Sequence, residues 1–84
     1  MFETYVTAVV DKGKDKCSVY IPDLGLRQYG SDYVEAIGTV IEVIRAVKRY
    51  YRDCGTELEF TATAESASKM VETKDGFVTV LCVD

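Results

Sequence analysis

The stretch that decides the fold runs from Ser31 to Gly55 and reads SDYVEAIGTVIEVIRAVKRYYRDCG. From Tyr33 onward its apolar residues recur every three or four positions, which is the spacing of one helix face. The apolar residues of this face are Tyr33, Ile37, Val40, Ile41, Ile44, Val47 and Tyr51. Either Ser31 or Asp32 can cap the helix, and Asp32 has Glu35 three residues later, as in a capping box. Gly55 is placed to end it, so the sequence predicts one long helix.

Gly38 lies inside this predicted helix. A glycine in a helix interior costs about 1 kcal/mol relative to alanine. We therefore expect Gly38 to approach the sheet or a partner closely.

Three short strands are predicted before the helix. Residues 2–10 are rich in β-branched and aromatic side chains, and residues 17–21 alternate between two faces. The charged, glycine-containing stretch between them predicts a hairpin turn. Pro22 has no backbone N–H and should end the second strand, after which residues 26–29 form a short third one.

The chain after the helix supports two interpretations. Leu58, Phe60 and Ala62 alternate, as in a strand, whereas residues 64–70 suit a short helix capped by Thr63. Residues 77–83 are nearly all apolar, which predicts a strand buried on both faces.

These elements predict a single α+β domain over residues 1–84. Three strands form an antiparallel meander, and a long helix leads to the fourth strand. A right-handed crossover would place that strand parallel to the first and beside it. The expected sheet order is 3-2-1-4, with the helix on one face.

The composition argues against catalysis and cofactor chemistry. The chain has no histidine, which is the commonest general base and metal ligand. The carboxylates lie on turns and helix faces, and nothing in their spacing makes them converge on a pocket. There is no phosphate-binding loop and no zinc-finger spacing of cysteines. We therefore predict a protein that is not an enzyme and holds no cofactor or metal.

The cysteine pattern and the hydropathy of the sequence indicate the cellular compartment of the protein. Cys17, Cys54 and Cys82 are an odd number without close pairing, which favours reduced thiols in the cytoplasm. No signal peptide opens the chain, and no stretch has the roughly 18 apolar residues of a membrane span.

The net charge of −4 argues against broad binding to nucleic acid and favours a basic protein partner. The helix nevertheless carries a basic face, with Arg45, Lys48, Arg49 and Arg52 near Tyr50 and Tyr51. This face can contact RNA through phosphates and stacking, or it can be a solvated face that complements the helix dipole. The acidic total favours the second interpretation.

Part of the chain resembles a known family. Residues 20–25 read Tyr-Ile-Pro-Asp-Leu-Gly, residues 29–32 read Tyr-Gly-Ser-Asp, and the helix begins with Glu35-Ala36-Ile37. Together with the preceding hairpin, this pattern is similar to the HicB-like antitoxin domain. Ile21 stands where that family usually has Phe or Tyr, and the family's usual Pro-Gly step is reduced to Gly25.

The resemblance implies a partial RNase H-like fold and a role in binding and silencing a HicA-like toxin. Such toxins are small basic ribonucleases, and the acidic balance of this chain suits them. Many family members add a C-terminal DNA-binding domain, whereas this chain ends at Asp84, directly after its last predicted strand. Direct DNA binding is therefore not expected. The alternatives are an orphan homo-oligomeric regulatory module without a toxin partner, or a weak RNA-binding domain.

Two surfaces are predicted to make contacts. The first is the edge segment expected to bind the partner, with Pro22, Asp23, Leu24, Arg27 and Tyr29. The second is the sheet face left uncovered by the helix, where Tyr5, Val9 and Tyr20 are expected to support a homo-oligomer.

Overall fold

The computed structural model describes residues 4–83 and contains a four-stranded sheet and two helices. The elements are β1 (Thr4–Lys12), β2 (Cys17–Ile21), β3 (Leu26–Gly30), α1 (Tyr33–Asp53), α2 (Ala64–Ser68) and β4 (Phe77–Val83). The sheet order is β3-β2-β1-β4, as predicted, and every neighbouring pair is antiparallel. The α+β class and the single long helix are confirmed.

The helix begins where its capping residues predict. The Asp32 carboxylate accepts a hydrogen bond from the Glu35 N–H at 2.8 Å, and the Glu35 carboxylate accepts one from the Ser31 N–H at 3.0 Å. The Asp32 side chain therefore satisfies a backbone donor that the helix itself leaves open, and the Glu35 side chain ties the preceding residue to the first turn.

One face of the sheet packs on α1, and we call it the α1 face. Ala36, Val40 and Ile44 of α1 are fully buried against Val6, Val10 and their neighbours in the sheet. A methyl group added at Gly30 would lie 2.5 Å from the backbone nitrogen of Ala36, so helix and strand approach each other too closely for a side chain there. Gly38 behaves differently: a Cβ there would meet nothing within 4 Å in the described part of the chain. The expected close approach at Gly38 is thus absent from residues 4–83.

The fourth strand runs antiparallel to β1, so the predicted parallel strand is wrong. The register pairs Thr4 with Val83 and Val10 with Phe77. A parallel β4 would have to start near the end of the sheet where α1 stops, close to Thr4. Instead, residues 56–73, which we call the return segment, carry the chain back to the opposite end before β4 begins. The partial RNase H-like fold implied by the resemblance includes a parallel fourth strand, and the structure does not support it.

The return segment also covers the second face of the sheet, which we call the α2 face. Thr7 on this face donates a hydrogen bond from its hydroxyl to the Ala62 carbonyl at 2.9 Å, and Asp11 accepts hydrogen bonds from Glu72 and Thr73. Under α2, Val9 is 1% exposed. The expectation of an uncovered face is therefore wrong over the middle of the sheet.

Local predictions in the return segment and in the strands had mixed outcomes. Thr63 caps the short helix α2, as predicted, by accepting a hydrogen bond from the Ser66 N–H at 3.1 Å. Residues 58–62 do not form a strand. β1 runs on through Lys12, and the predicted strand start at Phe2 lies outside the described residues. β4 is buried only on the α1 face, because Val80 on the other face is 54% exposed.

Candidate functional site

A cleft with a cavity volume of about 690 Å³ lies beside the C-terminal half of α1. One wall is the helix, and the other is formed by the first residues of the return segment together with the start of β1. Four cationic side chains of α1 line it: Arg45, Lys48, Arg49 and Arg52. The facing wall supplies Thr4, Glu57 and Leu58.

The spacing of the four cations explains why they share one side of the helix. They stand at positions i, i+3, i+4 and i+7, which fall on neighbouring turns of an α-helix. The last of them, Arg52, lies in the final turn, where positive charge complements the helix dipole. This spacing is also typical of a solvated basic face. Here it places the four cations along one wall of the cleft.

The second wall exists because of how α1 ends. Gly55 adopts φ +77°, a left-handed conformation that glycine accepts without strain. The Gly55 N–H donates to the Arg52 carbonyl at 3.0 Å, and the Thr56 N–H donates to the Tyr51 carbonyl at 2.9 Å. This pair of bonds is a Schellman motif, which reverses the chain direction at a helix end. Residues 56–58 consequently fold back beside the helix.

Most of the positive charge in the cleft is not neutralised within residues 4–83. Arg45 lies 3.5 Å from Glu42, and Lys48 donates a hydrogen bond to the Thr4 hydroxyl at 2.7 Å. In the same part of the chain, Lys48, Arg49 and Arg52 form no ion pair. The cleft therefore has the electrostatic character of an anion-binding surface.

The residues predicted for partner binding divide between structural and exposed positions. Asp23 points its carboxylate at the return segment, accepting hydrogen bonds from the Thr61 and Ala62 N–H groups at 2.9 and 3.0 Å. Pro22 and Leu24 are half-buried in the same turn, and Leu24 packs on the core. These three side chains help to hold the fold.

The other two residues of that set lie on β3. Arg27 stacks over the Tyr20 ring at 5.1 Å, donates to the Ser18 hydroxyl at 3.2 Å and lies 3.9 Å from the Glu72 carboxylate. Tyr29 is 54% exposed, with the Lys16 ammonium 4.8 Å from its ring centre. Of the five predicted contact residues, Tyr29 offers the most free surface.

The residues predicted for an oligomer surface do share one face. Val9 and Tyr20 are direct cross-strand partners, and Tyr5 lies on the same side of β1. Their exposure differs: Tyr5 is 58% exposed, Tyr20 is half-buried beneath Arg27, and Val9 is covered. The three therefore do not form one continuous exposed patch.

A shallow apolar groove of about 540 Å³ lies on the opposite flank of α1. Val43, Ala46, Val47 and Tyr50 line it, and Tyr50 is 67% exposed. The two flanks of the same helix thus differ sharply in character, one cationic and one apolar.

Residues 4–83 contain no group of three or more histidine, cysteine, aspartate or glutamate side chains arranged to hold a metal ion. Neither helix in that range combines the length and apolar character needed to cross a bilayer.

Sequence reasoning found the cations but not the cleft. Arg45, Arg49 and Arg52 are predicted above only as a candidate RNA contact, together with Lys48. Leu58 and Thr4 have no distinctive sequence pattern that links them to the helix. Only Gly55, as the expected helix stop, signals that the chain reverses here.

Comparison of the chain with protein-family models, with curated proteins and with solved structures finds no match to any of them.

Proposed function

We propose that this domain acts by binding and not by catalysis, and that the cationic cleft receives an acidic segment of a partner protein. One observation carries the proposal. Lys48, Arg49 and Arg52 converge on one cavity without a carboxylate partner in the described residues.

The concentration of charge stands out against the rest of the chain. The protein has ten cationic and fourteen acidic residues, yet four of the ten cations line this one cleft. Within the described part of the chain, Glu57 is the one acidic residue that faces them. Unpaired cations in a concave site attract anionic groups and raise the rate of encounter with them.

The lining favours an acidic protein segment over RNA. Single-stranded nucleic acid is usually held by aromatic rings that stack on its bases, and among residues 4–83 no aromatic side chain lines the cleft. Leu58 and the aliphatic stems of the arginines offer apolar contacts that suit protein side chains. The net charge of −4 also repels a long polyanion more than a short acidic segment.

A direct binding assay tests the proposal. The probe is a fluorescein-labelled peptide of alternating glutamate and leucine, titrated with the protein at low ionic strength and followed by fluorescence anisotropy. We expect the double variant Arg49→Ala/Arg52→Ala to bind about fivefold more weakly, since each exposed charge contact contributes about 0.5 kcal/mol. The matched control, Lys69→Ala/Lys74→Ala, removes the same charge from exposed positions outside the cleft and should bind like the wild type.

Three outcomes would contradict the proposal. The peptide does not bind, or both double variants lose affinity equally, which indicates a general charge effect. Alternatively, a short single-stranded RNA binds more tightly than the peptide and loses affinity in the cleft variant, which would make the partner a nucleic acid.

The antitoxin role is a second proposal. It rests on the resemblance of residues 20–25 to the HicB-like motif, and the exposed Tyr29 on the outer strand β3 favours it. The antiparallel β4 is a departure from the fold that this family implies. If the proposal is correct, co-expression with a HicA-like toxin rescues growth, and Tyr29→Ala weakens the complex. A toxin that stays lethal in the presence of the wild-type protein would contradict it.

The three cysteines are not joined to one another by a disulfide. The proposed cytoplasmic location rests on the odd number of cysteines without close pairing, which favours reduced thiols.

A further inference from the structure

β4 is an edge strand with an unusual lack of protection. It lies at one end of the sheet order and runs for seven residues, from Phe77 to Val83. The strand contains no charged residue and no proline. Natural edge strands usually carry such residues, or bulges, to prevent pairing with other chains.

The sheet register identifies which backbone groups of β4 face outward. In an antiparallel pair, opposite residues alternate between hydrogen-bonded and non-hydrogen-bonded positions. The bond from the Gly13 N–H to the Lys16 carbonyl, at 2.8 Å, fixes this alternation for β1, whose odd-numbered residues point their backbone groups at β2. Its even-numbered residues therefore face β4, where they lie opposite odd-numbered partners. The backbone groups of Val78 and Val80 consequently point away from β1, toward the open edge.

The side chains of these two residues enlarge the exposed surface. Val78 and Val80 lie opposite Val9 and Thr7, so their side chains are on the α2 face. Val78 is half-buried and Val80 is 54% exposed. Within residues 4–83, the outward backbone groups of Val78 and Val80 thus have no partner, and an apolar side chain is exposed at the same place.

We infer that β4 pairs antiparallel with β4 of a second copy of this chain, joining two sheets into one of eight strands. Pairing about a twofold axis at Val80 satisfies the outward N–H and C=O of that residue in both copies at once. It also brings the two Val80 side chains into contact on the α2 face. This dimer surface differs from the cationic cleft and from the predicted Tyr5, Val9 and Tyr20 surface.

The lack of charge on β4 favours a second copy as the occupant. Two molecules that each carry −4 repel one another, so self-association needs a surface without like charges. The uncharged β4 supplies such a surface. The opposite edge of the sheet, β3, is less suited to self-pairing, because one of its two outward positions, Arg27 and Tyr29, carries a charge.

Sedimentation equilibrium and amide exchange test the inference. The wild type should sediment as a dimer, and Val80→Lys, which places two ammonium groups at the axis, should sediment as a monomer. The matched control is Val34→Lys, which changes a 76% exposed valine on α1 and should leave the dimer intact. In the wild type, the amides of Val78 and Val80 should exchange about tenfold or more slowly in the dimer than on dilution to the monomer.

The amide-exchange measurement needs no substitution, so it stays decisive if Val80→Lys fails to fold. A wild-type monomer at high concentration with rapidly exchanging Val78 and Val80 amides would overturn the inference and leave the edge to a strand of another protein. A dimer that persists in folded Val80→Lys would also overturn it.

Discussion

The carboxylate of Asp11 accepts two hydrogen bonds from Thr73, one from the backbone N–H at 2.8 Å and one from the hydroxyl at 3.0 Å. The same oxygen, Oδ1, accepts a third from the Glu72 N–H at 2.9 Å. Asp11 lies near the end of β1 and is only 5% exposed, whereas Thr73 lies just before β4. This contact fixes the point at which the return segment ends and β4 enters the sheet.

Removing the carboxylate should destabilise the protein substantially. In Asp11→Ala, three donors of the return segment lose a charged acceptor, and we expect the free energy of unfolding to fall by about 3 kcal/mol. Urea denaturation followed by circular dichroism measures the change. Asp15→Ala, at an exposed position in the hairpin turn, is the control and should stay close to the wild type. Equal stability of the two variants would contradict this role of Asp11.

Asp11 should also make stability depend on pH. Burial alone would raise the pKa of Asp11, but hydrogen bonds from Thr73 and Glu72 and the nearby charge of Arg27 outweigh it and lower the pKa below its ordinary value of 3.8. Because the pKa is lower in the folded state, the stabilising effect is complete above the unfolded-state pKa. It is lost as the pH falls through the folded-state pKa.

The wild-type free energy of unfolding should therefore decrease below about pH 4. In Asp11→Asn the decrease should be shallower, because the titrating group is gone. Urea titrations at a series of pH values give both curves. Parallel curves for the two proteins would show that Asp11 does not contribute to the acid dependence.

Two glycines offer a matched test of packing between α1 and β3. Gly30→Ala places a methyl group 2.5 Å from the Ala36 backbone nitrogen, and we expect a loss of about 2 kcal/mol or more. Gly38→Ala meets nothing within 4 Å in the described residues and should gain about 1 kcal/mol from its higher helix propensity. The midpoint temperature of thermal unfolding should therefore fall in Gly30→Ala and rise in Gly38→Ala. A loss of stability in Gly38→Ala would contradict the open surroundings found there.

Asp23 should hold the first part of the return segment. Its carboxylate binds the backbone N–H groups of Thr61 and Ala62. In Asp23→Ala we expect a loss of about 1–2 kcal/mol and faster hydrogen exchange at those two amides. Asp75→Ala, which removes an exposed carboxylate elsewhere, should leave both amides protected. Unchanged exchange in Asp23→Ala would mean that other contacts hold this part of the chain.

The helix and the first three strands could be predicted because their signals are local. Asp32 caps α1 through a residue three positions away, and Gly55 ends it through its own backbone conformation. The direction of β4 could not be predicted in this way. It depends on contacts between Asp11 and Thr73, which are 62 residues apart and carry no periodic pattern. Small polar residues of the return segment make the decisive bonds, and sequence patterns reveal apolar faces far better than such bonds.

The cleft likewise combines a local signal, which can be predicted from the sequence, with a tertiary contact, which cannot. The spacing of Arg45, Lys48, Arg49 and Arg52 indicates a shared helix side. The cavity forms because the turn at Gly55 brings Leu58 beside this side of the helix. The charges could therefore be predicted from the sequence, whereas the cavity beside them could not.

The most direct test of the proposed function is an NMR titration of the isotope-labelled wild-type protein with the glutamate-leucine peptide. We predict chemical-shift changes concentrated at Arg45, Arg49, Arg52 and Leu58, with the side-chain Nε–H signals of the arginines moving most. Resonances of the β3 edge, such as Tyr29, should stay in place. Shifts confined to that edge, or no shifts at saturating peptide, would contradict the assignment of the cleft as the binding site.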